Sequence, residues 1–216
     1  MRLLLAFGIF NTLQWLSAMG QDLPVKNLAH EKIPANIQVD GKIQSAIQWK
    51  DSLGINIVVT TETGVYQNTD SASTPSGART AGLFAYHYLV QKDSVIRVWK
   101  LHDNIDKCSD RVDAYFIKNS LHVTDLDSDG TGEIWLAYIK GCRRDSVPCD
   151  MKLVMYEGTV QSTLTGQNRV YLRTDEMGGK HYSGGDYAYD TPFYEGPKVF
   201  LEYARKQWHK NLERRD

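Results

Sequence analysis

The residues with the clearest chemical potential lie between Val123 and Leu136, reading Val-Thr-Asp-Leu-Asp-Ser-Asp-Gly-Thr-Gly-Glu-Ile-Trp-Leu. Aspartates alternate at Asp125, Asp127 and Asp129, Gly130 follows, and Glu133 stands four residues past the last aspartate. Calcium takes about six to eight hard oxygen ligands in a flexible shell. Asp125, Asp127 and Asp129 can each supply one. Gly130 lets the backbone turn sharply, so that the Thr131 carbonyl can face inward, and Glu133 can close the shell directly or through a water. Carboxylates this close repel strongly unless a cation or protons relieve them. The pattern is not an EF-hand, because position 12, where a bidentate Glu belongs, is Leu136 when Asp125 is position 1. The competing possibility is a metal-free turn with solvated carboxylates, since Asp and Gly favour turns in their own right. The expected cofactor is a structural Ca2+ held by Asp125, Asp127, Asp129, Thr131 and Glu133, which would stabilise the folded chain by mass action.

Other candidates carry less chemistry. His30, His87, His102, His122, His181 and His209 show no HExxH or other zinc spacing. His87 lies between tyrosines and reads as a packed strand residue. No GxSxG nucleophile motif occurs, and no catalytic residue is expected. Asp103, Asp106, Asp110 and Asp113 form a second acidic group, either a solvated loop or a set of carboxylates for a cation or for glycosidase-type chemistry. The loop reading is preferred. The stretch His181–Asp190 is rich in tyrosine, which can stack on sugars or make protein contacts, against the plainer reading of a surface loop.

The elements that would position these groups are short runs of β character separated by turn residues. Ile37–Val39 and Ile43–Trp49 flank Asp40-Gly41, a good hairpin dipeptide. Asp51–Gly54 is a second turn, leading into the β-branched run Ile55–Thr61. Residues 67–80 are a polar loop. Further strands are expected at Leu83–Val90, Val95–Leu101, Tyr115–Ile117, Leu121–Thr124, Ile134–Ile139, Lys152–Tyr156 and Val170–Leu172. Residues 174–197 read as a long Gly- and Tyr-rich loop. Phe200, Tyr203, Ala204, Gln207, Trp208 and Leu212 recur at helical spacing, and Pro197 suits the first helical position. The fold class is mainly β (α+β): antiparallel meander sheets of about nine strands with one C-terminal amphipathic helix at about 198–212. One domain spans 35–216, preceded by an extended segment at 21–34.

The chain opens with Arg2, an apolar run from Leu3 to Leu16 interrupted by polar residues, and the small residues Ser17-Ala18-Met19-Gly20. That is a signal-peptide pattern over residues 1–20, with cleavage before Gln21. The run falls short of the roughly 20 apolar residues a bilayer requires, and no later segment reaches that length, so the mature chain carries no membrane span. Losing Arg2 takes the formal net charge from −1 to −2, which gives no electrostatic case for nucleic acid. The expected location is periplasmic, cell-surface or extracellular. The three cysteines, Cys108, Cys142 and Cys149, would then meet an oxidising compartment. One bridge and one leftover thiol follow, with the pairing open.

Two resemblances extend this. The flanks of the acidic loop read as strands, and the segment resembles the strand–loop–strand calcium loops of integrin-type and VCBS-type β-propeller repeats, with their D-x-D-x-D-G-x-x-[DE] spacing. That likeness covers only the loop. A longer string is Tyr86-His87-Tyr88, Val98-Trp99-Lys100-Leu101 with Asp103, Cys108 with Asp110, Val123–Asp127, Glu133, Tyr138, Cys142-Arg143-Arg144-Asp145 and Met151-Lys152-Leu153. It resembles a family of exported Bacteroidetes proteins of undefined activity, some labelled as surface polysaccharide biosynthesis proteins, over roughly residues 35–210. The resemblance implies a Cys108–Cys142 disulfide with Cys149 spare. The chain departs from the family's Asp-Val-Ser-Pro after the second cysteine, reading Asp145-Ser146-Val147-Pro148-Cys149, which leaves Cys142–Cys149 as a local alternative. The implied function is an exported, non-catalytic envelope or secreted protein with a calcium loop, engaging surface glycan or an envelope protein. The alternatives are an enzyme that acts on cell-surface polysaccharide through acidic residues, and a structural interaction module.

Overall fold

The structure, a computed structural model, describes residues 21–67, 77–92, 94–145 and 147–212. The expected signal peptide, and residues 68–76 of the expected polar loop, lie outside the described residues. In chain order the elements are β1 (Gln21–Asp22), β2 (Lys26–Asn27), a 3-10 turn (His30–Lys32), β3 (Lys42–Asp51), β4 (Gly54–Glu62), β5 (Tyr66–Gln67), β6 (Arg79–Val90) and β7 (Val95–Cys108). They continue with β8 (Arg111–Phe116), β9 (His122–Asp125), β10 (Glu133–Arg143), β11 (Asp150–Glu157), β12 (Val160–Gln167), β13 (Val170–Thr174), β14 (Lys180–Ser183), β15 (Tyr187–Tyr189), α1 (Thr191–Glu195) and α2 (Lys198–Asn211).

The strands pair antiparallel throughout and form two large sheets. One runs β2-β3-β4-β6-β5, with β7 also on β6. The other runs β1-β9-β10-β11-β12-β15, with β8 also on β10, and β13–β14 form a separate hairpin. The sheets stack through a shared core. Ile47, Trp49, Val58, Leu83, Ala85, Trp99 and Leu101 of the first meet Val123, Ile134, Leu136, Tyr138, Val154 and Tyr156 of the second.

Side chains alternate across a strand, so the odd-numbered residues of β10 point the other way. Trp135, Ala137 and Ile139 face the helical layer, as do Met151, Leu153 and Met155 of β11. With both faces covered, these central strands read as nearly continuous apolar runs. Helix α2 answers with Phe200, Ala204 and Trp208, one residue per turn on a single stripe that Leu212 continues at the C-cap. A strap at residues 28–41 covers the outer face of the first sheet, laying Leu28, Ile33, Ile37 and Val39 over Ile57, Val59, Phe84, Tyr86 and Tyr88. The domain is therefore layered as strap, sheet, sheet, helices.

Several expected boundaries move. Asp40-Gly41 is not a hairpin turn. Residues 37–39 belong to the strap, and the Asp40 N–H donates to the Tyr86 hydroxyl (2.9 Å). The hairpin lies at 51–54, where Asp51 pairs Gly54 around Ser52-Leu53. The interval 174–197 holds β14, β15 and α1 rather than one long loop. Pro197 sits one residue before the helix, as its N-cap. The disulfide joins Cys108 to Cys142, tying the end of β7 to β10. Cys149 is free and buried beside Gly141, where an added Cβ would come within 2.6 Å of its sulfur. Gly141 and Cys142 present opposite faces of β10, so the local Cys142–Cys149 alternative is not formed.

Candidate metal centre

Strands β9 and β10 pair through Thr124↔Glu133, Val123↔Ile134 and His122↔Trp135, and the acidic loop is the turn between them. The flanks are thus strands, as the sequence indicates. Positive φ at Ser128 (61°) and Gly130 (85°) folds the turn back. Aspartate side chains stitch it internally. Asp127 Oδ1 accepts from the Asp129 N–H (3.3 Å) and Asp129 Oδ1 from the Thr131 N–H (2.6 Å).

Glu133 is the unusual member, with no exposed surface. Its carboxylate accepts from the Thr124 hydroxyl (2.6 Å) and the Leu126 N–H (3.0 Å), while Trp135 Nε1–H donates to Thr124 Oγ1 (2.8 Å). Burial pushes its pKa up to about 7, against the pull of the Thr124 and Leu126 bonds and with help from Asp127 and Asp125. Asp125 Oδ1 is buried and has no hydrogen-bond partner among the described residues. Asp125, Asp127 and Glu133 each present an oxygen within 4.8 Å of the others, so this acidic cluster could hold a metal ion. An orphaned buried carboxylate oxygen beside a fully buried glutamate is costly without a compensating charge, and hard oxygens suit a hard cation.

The five expected ligands do not all converge in one group. Asp125, Asp127 and Glu133 do. Asp129 instead shares a second group with Asp127 and Glu157. Thr131 gives its N–H to Asp129 and sets its hydroxyl 3.5 Å from that of Ser52. Glu157 was not visible as a candidate from sequence. It ends β11 and stands directly across from Glu133, a neighbour set by strand register rather than by the loop. Burial, then Asp127 and Asp129, raise its pKa.

The opposite sheet clamps the loop. Asp51, at the end of β3, accepts from Trp49 Nε1–H (2.9 Å) and the Gly132 N–H (3.2 Å) on one oxygen. Its other oxygen accepts from the Leu53 N–H and Asn56 Nδ2 (2.9 Å each). The Ser52 N–H donates to the Gly130 carbonyl (2.8 Å). Gly132 has no room for a side chain, since a Cβ would stand 2.8 Å from both Trp49 Nε1 and Val123 Cγ1.

The second acidic group is not a solvated loop. Its members lie on or between β7 and β8, each with its own partner. Asp103 meets Lys140 (2.6 Å), Lys152 (2.9 Å) and the Tyr138 hydroxyl (2.9 Å). Burial would raise its pKa, but those three contacts outweigh it and hold the carboxyl at about 2. Asp113 pairs with Arg143 (2.6 Å) and Arg111 (3.2 Å), Asp110 with Arg144 (2.9 Å), and Asp106 accepts from Thr80 (3.0 Å). His87 is packed, as expected, between Trp49 and Trp99, with Nε2 2.9 Å from Asn56 Oδ1. Of the tyrosine stretch, Tyr187 packs on Trp208, while Tyr182 and Tyr189 remain exposed. No helix among the described residues is long and apolar enough to cross a membrane. No protein-family model matches the chain, and neither a curated protein nor a solved structure matches it.

Proposed function

We propose that this is an exported, non-catalytic envelope or secreted protein in which the 125–133 loop holds one structural Ca2+. Asp125, Asp127 and Glu133 supply the protein oxygens, with water completing the shell. The observation that carries this reading is the buried, partnerless Asp125 Oδ1 aligned with a fully buried Glu133. The disulfide supports export, because such bonds persist in oxidising compartments. The enzyme alternative loses support, since Asp103, Asp110 and Asp113 are each engaged by cations.

The glycan part of the reading has its best place at a shallow cavity of about 380 Å3 beside β11, β12 and β15. Lys152, Gln161, Thr163 and Thr165 offer it polar groups and Tyr189 an exposed ring. Polar side chains beside an aromatic face suit a polyhydroxylated ligand. The resemblance to exported proteins labelled for surface polysaccharide biosynthesis points the same way.

The test is thermal melting in calcium and in excess chelator. A ligand at about 100 times its Kd adds roughly 2.7 kcal/mol. For a domain of this size that corresponds to a rise of about 5–10 °C. Asp127→Ala, which removes the residue common to both carboxylate groups, should abolish the difference. Identical melting of the wild-type protein in the two conditions would remove calcium from the account.

A further inference from the structure

The strap and the outer face of β6–β7 enclose a cavity of about 670 Å3 that the calcium loop does not touch. This volume lies within the roughly 300–1,000 Å3 range of small-molecule pockets. Its walls differ in character. Ile33, Ile37 and Val39 from the strap and Ile43 from β3 present aliphatic surface, and Tyr86 and Arg97 lie on the sheet side.

The strap is fastened at both ends, so the space is built in rather than left by loose packing. The Leu28 N–H donates to the Ala46 carbonyl (2.9 Å) at one end. At the other, the Tyr88 hydroxyl donates to the Gln38 carbonyl (2.8 Å), the Tyr86 hydroxyl to Asp40 Oδ2 (2.8 Å) and the Thr61 hydroxyl to the Asp40 carbonyl. Collapse of the cavity would break several of these bonds at once.

The charges favour an anion. Register places Arg97 beside Tyr88 and Lys100 beside Tyr86. Lys100 is committed to Asp40 (2.8 Å) and lies over the Phe84 and Tyr86 rings, so the two charges offset. Arg97 stands across from Tyr88 with its side chain exposed. Its guanidinium presents five N–H donors in a planar fork, a shape that matches a carboxylate. Gln38 and Asp40 also line the cavity, Asp40 with its charge offset by Lys100, so Arg97 beside the aliphatic wall favours a monoanion with a hydrocarbon body.

We propose that this cavity binds a small aliphatic monocarboxylate, with the carboxylate on Arg97 and the chain along Ile33, Ile37, Val39 and Ile43. Octanoate is the probe and 1-octanol its uncharged counterpart, each titrated into the folded protein and followed by amide chemical shifts. Octanoate should saturate a single site, with shifts concentrated at residues 33–43 and 86–97, and 1-octanol should bind at least tenfold more weakly. Arg97→Met, on an exposed side chain, should weaken octanoate at least tenfold and leave 1-octanol unchanged. Ile37→Asn should weaken both. Absence of saturable octanoate binding, equal binding of the two probes, or indifference to either variant would each overturn the proposal. None of these outcomes depends on calcium.

Discussion

Asp51 offers a sharp test of how the two sheets are joined at the loop. Each of its oxygens accepts two hydrogen bonds, from Leu53 and Asn56 on one side and from Trp49 and Gly132 on the other. Asparagine is normally a mild replacement for aspartate. Here it puts an NH2 group against two donors whichever way the amide turns. The less costly orientation keeps the oxygen on Trp49 and Gly132, because the Leu53 N–H can turn to water and Asn56 Nδ2 retains the Gly54 carbonyl (3.1 Å). Two charge-assisted bonds are still lost, at about 1 kcal/mol each after partial compensation. Asp51→Asn should therefore cost about 2 kcal/mol. Asp51→Ala should cost about 3–4 kcal/mol, because it also strands the nearly buried Trp49 indole N–H. Removing a negative charge near the acidic loop acts in the opposite direction. Salt at about 0.15 M, where the Debye length is roughly 8 Å, reduces that term. The assay is urea unfolding with the slope m compared across variants, since an unchanged m assigns the midpoint shift to stability. An Asp51→Asn protein within about 0.5 kcal/mol of wild type would refute the reasoning, because that is the size of an ordinary surface change.

Trp208 is fully buried, packs on Tyr187 and donates to the Gly185 carbonyl (3.0 Å), so Trp208→Ala should cost about 3–5 kcal/mol in the same denaturation assay. Burial, partly opposed by Asp51, lowers His87 from 6.5 to about 4. A base with a depressed folded pKa contributes stability that is complete above the unfolded value and is lost as pH falls toward the folded one. About 3 kcal/mol should therefore disappear between pH 6.5 and 4. Glu133 acts with the opposite sign over part of that window, so the readout is the difference in slope between wild type and His87→Gln. Reducing the Cys108–Cys142 bridge, which closes a separation of 34 residues, should destabilise the fold by about 2–4 kcal/mol, seen as a lower melting temperature in reductant.

What was legible in the sequence followed local chemistry. Alternation in Leu83–Val90 and the apolar run Ile134–Ile139 marked strands that lie at the centre of their sheets. The four-residue recurrence of Phe200, Ala204, Trp208 and Leu212 placed α2 almost to the residue. The acidic loop was legible because its carboxylates are close in sequence. What failed was non-local. β12 reads Val-Gln-Ser-Thr-Leu-Thr-Gly-Gln, and only Ser162 and Leu164 are buried, too thin a pattern to stand out. Asp40-Gly41 has hairpin chemistry, but its neighbours are captured by Tyr86 and Tyr88 across the sheet, a tertiary contact that propensity does not record. Asp103 and Asp113 read as solvated because their partners, Lys140, Lys152 and Arg143, are some thirty to fifty residues away in sequence. Glu157 was missed for the same reason, since only the pairing of β10 with β11 brings it to the loop.

The position of the acidic cluster bears on what a cation would do there. Its inner carboxylate, Glu133, opens β10, the strand that carries Ile134 and Leu136 into the core between the sheets and Trp135 into the core under the helices. The loop in front of it is bonded to the β3–β4 hairpin of the other sheet through Asp51 and Ser52. Carboxylate repulsion at this point would push apart elements that the hydrophobic layers hold together. A divalent ion reverses that sign and turns the loop into a tie between sheets. An ion held by Asp125, Asp127 and Glu133 would sit where β9 and β10 meet the clamp from the other sheet. The physical consequence is that calcium should protect both sheets together. Amide exchange at β3–β4 should slow on adding calcium as much as exchange at β9–β10, whereas protection confined to β9–β10 would mean that the clamp does not transmit the ion's effect.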